Sequence, residues 1–223
     1  MLFSTTKYRI SIAMTNHMVI VSSYRASYNA ERKYYEIISL EKVCCPYCGG
    51  SLEYRNSRER GVSDELRNKA IYLLRRLWCA GCKHLHTEIP DIIQPYKHYS
   101  SSVIQDVLDG GGETCGADDS TIRRWRSGFK DAKADIEQRL KSIYARETEG
   151  PVPLITGVKT LDSLIKAEPR WLAYVMKLLI CHGHRLCTRF AFCPGGPPDK
   201  VAIIDVSKRQ GGKIYDKTKE DTG

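Results

Sequence analysis

Two matched cysteine pairs carry the most readable chemistry of this chain: Cys45-Pro46-Tyr47-Cys48 and Cys79-Ala80-Gly81-Cys82, with thirty residues between them. A CxxC turn sets two sulfurs on one side of a tight backbone knuckle. Two knuckles closing on each other form the tetrahedral thiolate cage that Zn²⁺ prefers. One CxxC would suit redox exchange, but two in a chain without a thioredoxin-like βαβ pattern read as metal ligands. The expectation is one structural zinc ion held by Cys45, Cys48, Cys79 and Cys82. Four thiolates close the coordination sphere, so the ion supplies folding energy, roughly 10–16 kcal/mol in small modules, and leaves no open position for a reacting water. Cys44, His84 and His86 are near enough in sequence to replace a sulfur and read as bystanders.

A second group of residues points to polyanions. Arg123, Arg124 and Arg126 lie within four positions, with Lys130 one turn further on, while Ile122, Trp125 and Phe129 recur at i, i+3 and i+7. A helix with an aromatic stripe docked on a neighbour and arginines crowding its N-terminal end has the pattern of a recognition helix. Guanidinium forks of that kind meet guanine edges or phosphates. Arg123, Arg124, Arg126 and Lys130 are therefore the expected DNA contacts, with Thr121 near a phosphate or base and Trp125 holding the helix in place. An amphipathic surface helix would share the stripe. The basic balance of the chain, 35 Lys+Arg against 26 Asp+Glu for a net charge of +9, favours the nucleic-acid reading.

Other chemistry-bearing residues do not assemble into a reaction. Cys181, His182, His184, Cys187 and Cys193 match no ribbon or finger spacing and read as buried thiols with surface histidines. Asp162, Glu168, Asp199 and Asp205 are scattered, unlike the carboxylate cluster of two-metal phosphoryl transfer. There is no Walker loop, no GxGxxG and no Ser/His/Asp arrangement, so no enzyme activity is expected.

The elements that must position these groups follow from periodicity. Val19-Ile20-Val21 reads as a first strand, and residues 24–40 as a short helix followed by an approach strand. Leu52–Arg60 and Ala70–Trp78 read as the arms of a long hairpin with Gly61 near its turn. Leu66, Ala70, Ile71, Leu74 and Leu77 also fit a helical period, but entry into a knuckle needs extended chain. Ser100 caps a helix running to Leu108, which Gly110-Gly111-Gly112 stops; Asp118-Asp119-Ser120 opens a second, broken near Gly128 and ending near Glu147. The connection between them is long for a helix-turn-helix. The fold class expected is α+β: a small zinc ribbon, helix-turn-helix-like helices, and a C-terminal helical segment. In domain terms this gives an N-terminal strand or leader (1–42), the ribbon (43–97), the helical pair (98–149), the C-terminal helices (150–207, entered through a Gly-Pro linker) and a disordered tail (208–223). Met14 or Met18 is a candidate start.

At 223 residues, 42% hydrophobic and 27% charged, the chain has the composition of a soluble globular protein. Nine unevenly spaced cysteines suit a reducing compartment better than a disulfide framework. Ile10–Val21 is too short and too polar to span a bilayer, and a cytoplasmic protein with no membrane partner is expected.

The run Cys45-Pro46-Tyr47-Cys48-Gly49-Gly50, with Arg75-Arg76-Leu77-Trp78-Cys79-Ala80-Gly81-Cys82-Lys83, Leu85-His86-Thr87-Glu88-Ile89-Pro90, Pro95-Tyr96-Lys97-His98-Tyr99-Ser100 and Ser120-Thr121-Ile122-Arg123-Arg124-Trp125, resembles a bacterial family of unknown function. That family joins a zinc ribbon to a helix-turn-helix segment and is similar to the N-terminal DNA-binding regions of insertion-sequence transposases. The resemblance covers about residues 43–130 and implies DNA binding. The RNase H-like nuclease domain of a transposase has no counterpart in the roughly 70 residues after the linker. The expectation is a transposase-related accessory protein or transcriptional regulator. The alternative is a protein–protein adaptor on a zinc ribbon, or a homodimer, whose C-terminal helices offer Trp171, Leu172, Tyr174, Val175, Leu178 and Leu179 to a partner.

Overall fold

A computed structural model of the chain describes residues 17–113, 115–147 and 160–184. The fold is mixed α+β, a curled six-stranded sheet with four helices. The strands are β1 (Met18–Val21), β2 (Tyr24–Asn29), β3 (Tyr34–Ser39), β4 (Leu52–Ser63), β5 (Lys69–Cys79) and β6 (His84–Pro90). The helices are α1 (Ser101–Leu108), α2 (Asp119–Glu147), α3 (Thr160–Ala167) and α4 (Trp171–Cys181). The Gly-Pro linker, the residues beyond His184 and the leader before His17 lie outside the described residues.

Strand β5 is the spine. One edge pairs antiparallel with β4 along its whole length; the other takes β6 antiparallel at residues 76–79 and β3 parallel at Tyr72 and Leu73. Strand β1 then adds parallel to β6, and β2 antiparallel to β3. One sheet thus spans the boundary expected near residue 42. The β4–β5 hairpin turns at Asp64, whose Oδ1 accepts from the Leu66 and Asn68 amides at 2.9 and 2.8 Å. Gly61 sits inside β4, opposite Ile71.

Two expectations are corrected. Residues 24–39 form the β2–β3 hairpin and not a helix with a strand: Tyr24, Ala26 and Tyr28 alternate with Arg25, Ser27 and Asn29 on β2, all six residues of β2 pair with β3, and Lys33 takes the left-handed turn at φ 55. Helix α2 runs unbroken through Gly128. A mid-helix glycine costs about 1 kcal/mol, which burial of Trp125, Ala132, Ile136, Leu140 and Ile143 along one face outweighs.

The core lies between the sheet and the helices. Val103, Ile104 and Val107 of α1, Trp125 of α2 and Trp171 and Val175 of α4 join Ile20, Ile37, Leu74 and Ile89 of the sheet. Ser100 caps α1, its Oγ accepting from Val103 N at 3.3 Å, and Gly110 and Gly112 leave the helix at φ 102 and 95. Lys177 of α4 clips Glu41 at 2.8 Å, while Glu41 also receives the Ser22 and Ser23 amides. No helix among the described residues is long and apolar enough to cross a membrane.

Candidate metal centre

The two knuckles meet because of hairpin register. Leu52, the first residue of β4, lies opposite Cys79, the last of β5. The first knuckle leads into β4 through the Cys44–Ser51 bridge. Its turn closes with Cys45 N donating to Gly50 O (2.9 Å) and Gly49 N to Cys45 O (2.8 Å), and Gly49 supplies the φ of 68 that the turn requires. The second knuckle is the turn of the β5–β6 hairpin, from Cys79 to its partner His84.

All four sulfurs lie within 4.8 Å of one another, with Cys48–Cys79 at 3.4 Å and Cys45–Cys82 at 3.6 Å. A tetrahedral site with metal–sulfur bonds of ~2.3 Å has edges of ~3.8 Å, so the cage fits one ion. The four are free thiols, Cys45 and Cys79 buried and the other two half-buried. Backbone N–H groups of Tyr47 and Cys48 point at Cys45, that of Cys82 at Cys79, and that of His84 at Cys82. Burial pushes the Cys45 and Cys82 thiols up. Burial also acts to raise Cys79, but the Cys82 amide and the neighbouring sulfurs outweigh it and bring that thiol down to about 7. Four sulfurs this close cannot all ionise without a compensating cation; the set could hold a metal ion.

Two glycines and a histidine complete the centre. A methyl group at Gly50 would stand 3.3 Å from Cys48 Sγ and 3.4 Å from Cys79 Sγ; at Gly81 it would stand 3.1 Å from Cys48 Sγ. A Cβ at either position would press on the cage sulfurs, which would have to give by a few tenths of an ångström, and the glycines of CysGlyGly and AlaGlyCys leave that space open. His86 is fully buried with Nε2 3.4 Å from Cys45 Sγ and 3.8 Å from Cys82 Sγ. Burial, with His84 nearby, lowers it to about 4, so the ring is neutral at pH 7 and its Nε2–H tautomer can donate to a thiolate. Cys44 is exposed and His84 is outside the cluster. Sequence reasoning missed the part played by His86 because facing Cys45 depends on the β5–β6 pairing.

Helix α2 presents the expected DNA contacts unevenly. Trp125 is buried edge-on against Tyr99 at 5.2 Å, and Phe129 packs on Trp171 at 5.3 Å. Arg123 and Lys130 are both exposed. Arg124 is exposed and folds back along its own helix, Nη2 donating to Thr121 Oγ1 at 2.8 Å and Nε to Ser120 O at 3.1 Å. Arg126 instead reaches the end of α1, donating to Val107 O (3.2 Å) and Gly111 O (2.7 Å). Asp118 caps α2: its carboxylate accepts from Ser120 Oγ, Thr121 N and Thr121 Oγ1, and these bonds bring it down to about 2.

The C-terminal group does not assemble with a metal-binding geometry among the described residues. Cys181 Sγ points to Ile20 O at 3.7 Å and His184 Nδ1 meets Arg139 at 3.1 Å; Cys187 and Cys193 lie outside the described residues. Of the apolar face expected to meet a partner, Trp171, Leu172, Val175 and Leu179 are buried in the chain's own core, Leu178 is half-buried and Tyr174 is 39% exposed.

Residues 45–125 match the model of a protein family described as a domain of unknown function (DUF6431). The matched span opens on the first cage cysteine and closes on Trp125, so it takes in both knuckles, β4 to β6, α1 and the first turns of α2. No curated protein and no solved structure matches the chain.

Proposed function

We propose that this chain is a zinc-dependent DNA-binding protein, a transposase-related accessory or regulator. Zinc fits the cage because four thiolates at tetrahedral spacing select a borderline-soft ion, and N–H donors and His86 around the sulfurs orient and stabilise them. The ion closes a ribbon whose β4–β5 arm carries the sheet, and so fixes the platform on which α1 and α2 pack.

The observation that carries the DNA reading is the division of labour along α2. Its aromatic residues dock inward while Arg123, Arg124 and Lys130 remain outward. Arg126 holds α1 against α2 and is a positioning residue. Asp118 and Asp119 place negative charge at the extreme N-terminus, which repels phosphate there. Binding therefore falls to the side of the helix, through Arg123 and Lys130, with Arg124 able to exchange its local bonds for a base edge or phosphate.

The test is titration of labelled duplex at several salt concentrations. Arg123→Ala with Arg124→Ala weakens binding by more than about 1 kcal/mol, with an unchanged circular dichroism spectrum. The log–log salt slope falls by about 0.9 for each phosphate that the protein no longer neutralises. Binding that ignores this double substitution discards α2 as the reader.

A further inference from the structure

A second surface, on the sheet and away from α2, has its own chemistry. Register places Tyr28 opposite Tyr35, Tyr35 opposite Tyr72, and Tyr72 opposite Arg60, in one row across β2, β3, β5 and β4. The rings form a ladder, with centroids 5.0 Å apart for Tyr28–Tyr35 and 5.5 Å for the stacked Tyr35–Tyr72 pair. Tyr28 is 56% exposed and Tyr35 38%.

Cross-strand aromatic pairing stabilises sheets and would account for the ladder alone. It does not account for the charges beside it. A cavity of about 510 Å³ adjoins the ladder's end and is lined by Arg58, Arg60, Lys69, Lys97 and His98, with no carboxylate among the described residues of its wall. Arg58, Arg60 and Lys69 make no ion pair among the described residues. Arg60 is anchored by its Nη2 on Gln94 O and Lys97 O (2.8 and 2.9 Å), and burial, then Arg58, pull it down to about 10. Lys69 also lines the cavity of about 700 Å³ over the tyrosines, so the two spaces share a wall. Its side chain crosses β4 at Gly61, where a methyl group would collide with its Cε. Asp64, the acid near the ladder, is committed to the hairpin turn.

We propose that this sheet face binds an unpaired nucleic-acid strand, bases stacking on Tyr28 and Tyr35 and phosphates entering the Arg58–Arg60–Lys69 cavity. Stacking platforms flanked by cations hold single strands of any sequence, because every base has a π-face. Duplex DNA keeps its bases stacked inside and gains nothing from exposed tyrosines. The site stands whether or not α2 reads duplex DNA.

Anisotropy titration of the full chain with fluorescein-labelled oligo(dT) of about twelve nucleotides, beside a labelled duplex, tests it. Tyr28→Ala and Tyr35→Ala each weaken oligo(dT) binding roughly tenfold, whereas Tyr35→Phe keeps it, since the ring and not the hydroxyl does the stacking. Arg58→Gln with Lys69→Gln, both exposed side chains, lowers the single-strand salt slope by about 1.4, or about 0.7 per phosphate. Arg123→Ala with Arg124→Ala leaves oligo(dT) binding intact, so a failed duplex titration beside a working oligo(dT) titration overturns the α2 reading alone. Absence of oligo(dT) binding, tyrosine variants within twofold of the parent, or loss caused by the α2 variant would each overturn the sheet site.

Discussion

Gly81→Ala tests the cage where its geometry is tightest. Gly81 is exposed and does not have a left-handed φ, so alanine brings no backbone strain. Its new methyl would stand 3.1 Å from Cys48 Sγ and 3.8 Å from Cys79 Sγ. Ordinary carbon–sulfur packing lies further out, so the Cys48 sulfur must retreat by a few tenths of an ångström from a site whose sulfur edges are already 3.4 and 3.6 Å. Disturbing the shell around metal ligands typically costs 10–100-fold in affinity, and this displacement belongs near tenfold, about 1.4 kcal/mol. The same substitution restricts the unfolded chain, which stabilises a protein by about 0.4–1 kcal/mol where the backbone permits it. The two effects have opposite signs and separate cleanly. Competition against a chromophoric chelator reads weaker metal binding, while denaturation of metal-free protein reads equal or higher stability. Unchanged metal affinity would refute the steric reasoning, and so would a destabilised metal-free fold.

Further outcomes follow from other parts of the molecule. Burial, then Arg139 and Arg146, lower His184 to about 4. Between the ordinary value of 6.5 and about 4 the unfolded chain therefore binds the extra proton, and stability falls as pH falls, by up to ~1.4 kcal/mol per unit. The drop in urea midpoint from pH 7 to pH 5 is accordingly smaller in His184→Gln than in the parent, and an equal drop contradicts the assignment. Arg126→Gln lowers stability by about 1 kcal/mol through the freed carbonyls at the end of α1 and leaves the duplex salt slope alone, whereas Lys130→Gln lowers the slope by about 0.9 at unchanged stability; the reverse pattern would exchange their roles. Glu88 is 1% exposed and Arg75 30%, paired through bonds of 2.7 and 2.9 Å. Arg75→Met, which strands a buried carboxylate, thus costs more than Glu88→Gln, which leaves a cation able to reach water, and thermal melts showing the opposite order would disprove this.

The parts of the molecule legible from the chain alone were those written in local spacing. The CxxC pairs announce a sulfur cluster because i, i+3 cysteines share a knuckle wherever they fold. Helix α1 was legible because Ser100, four apolar residues and three glycines spell cap, face and stop within thirteen positions. The β5 strand was recoverable because a knuckle demands extended chain. What escaped depends on partners far apart in sequence. The tyrosine row exists only because β3 pairs in parallel with β5, bringing Tyr35 to Tyr72. Charges interleaved with Tyr24, Tyr28, Tyr34 and Tyr35 mimic a helix, and only the neighbouring β5 edge decides for strand. Arg126 looks like its neighbours in sequence, yet the packing of α1 on α2 puts its guanidinium on Val107 O and Gly111 O.

The most direct measurement is elemental analysis of the purified full chain, paired with thiol counting before and after chelation. The account predicts one zinc ion per chain, with four thiols that react only once the metal is removed. A chain without stoichiometric metal, or one whose four cage thiols react equally with and without chelator, would contradict it.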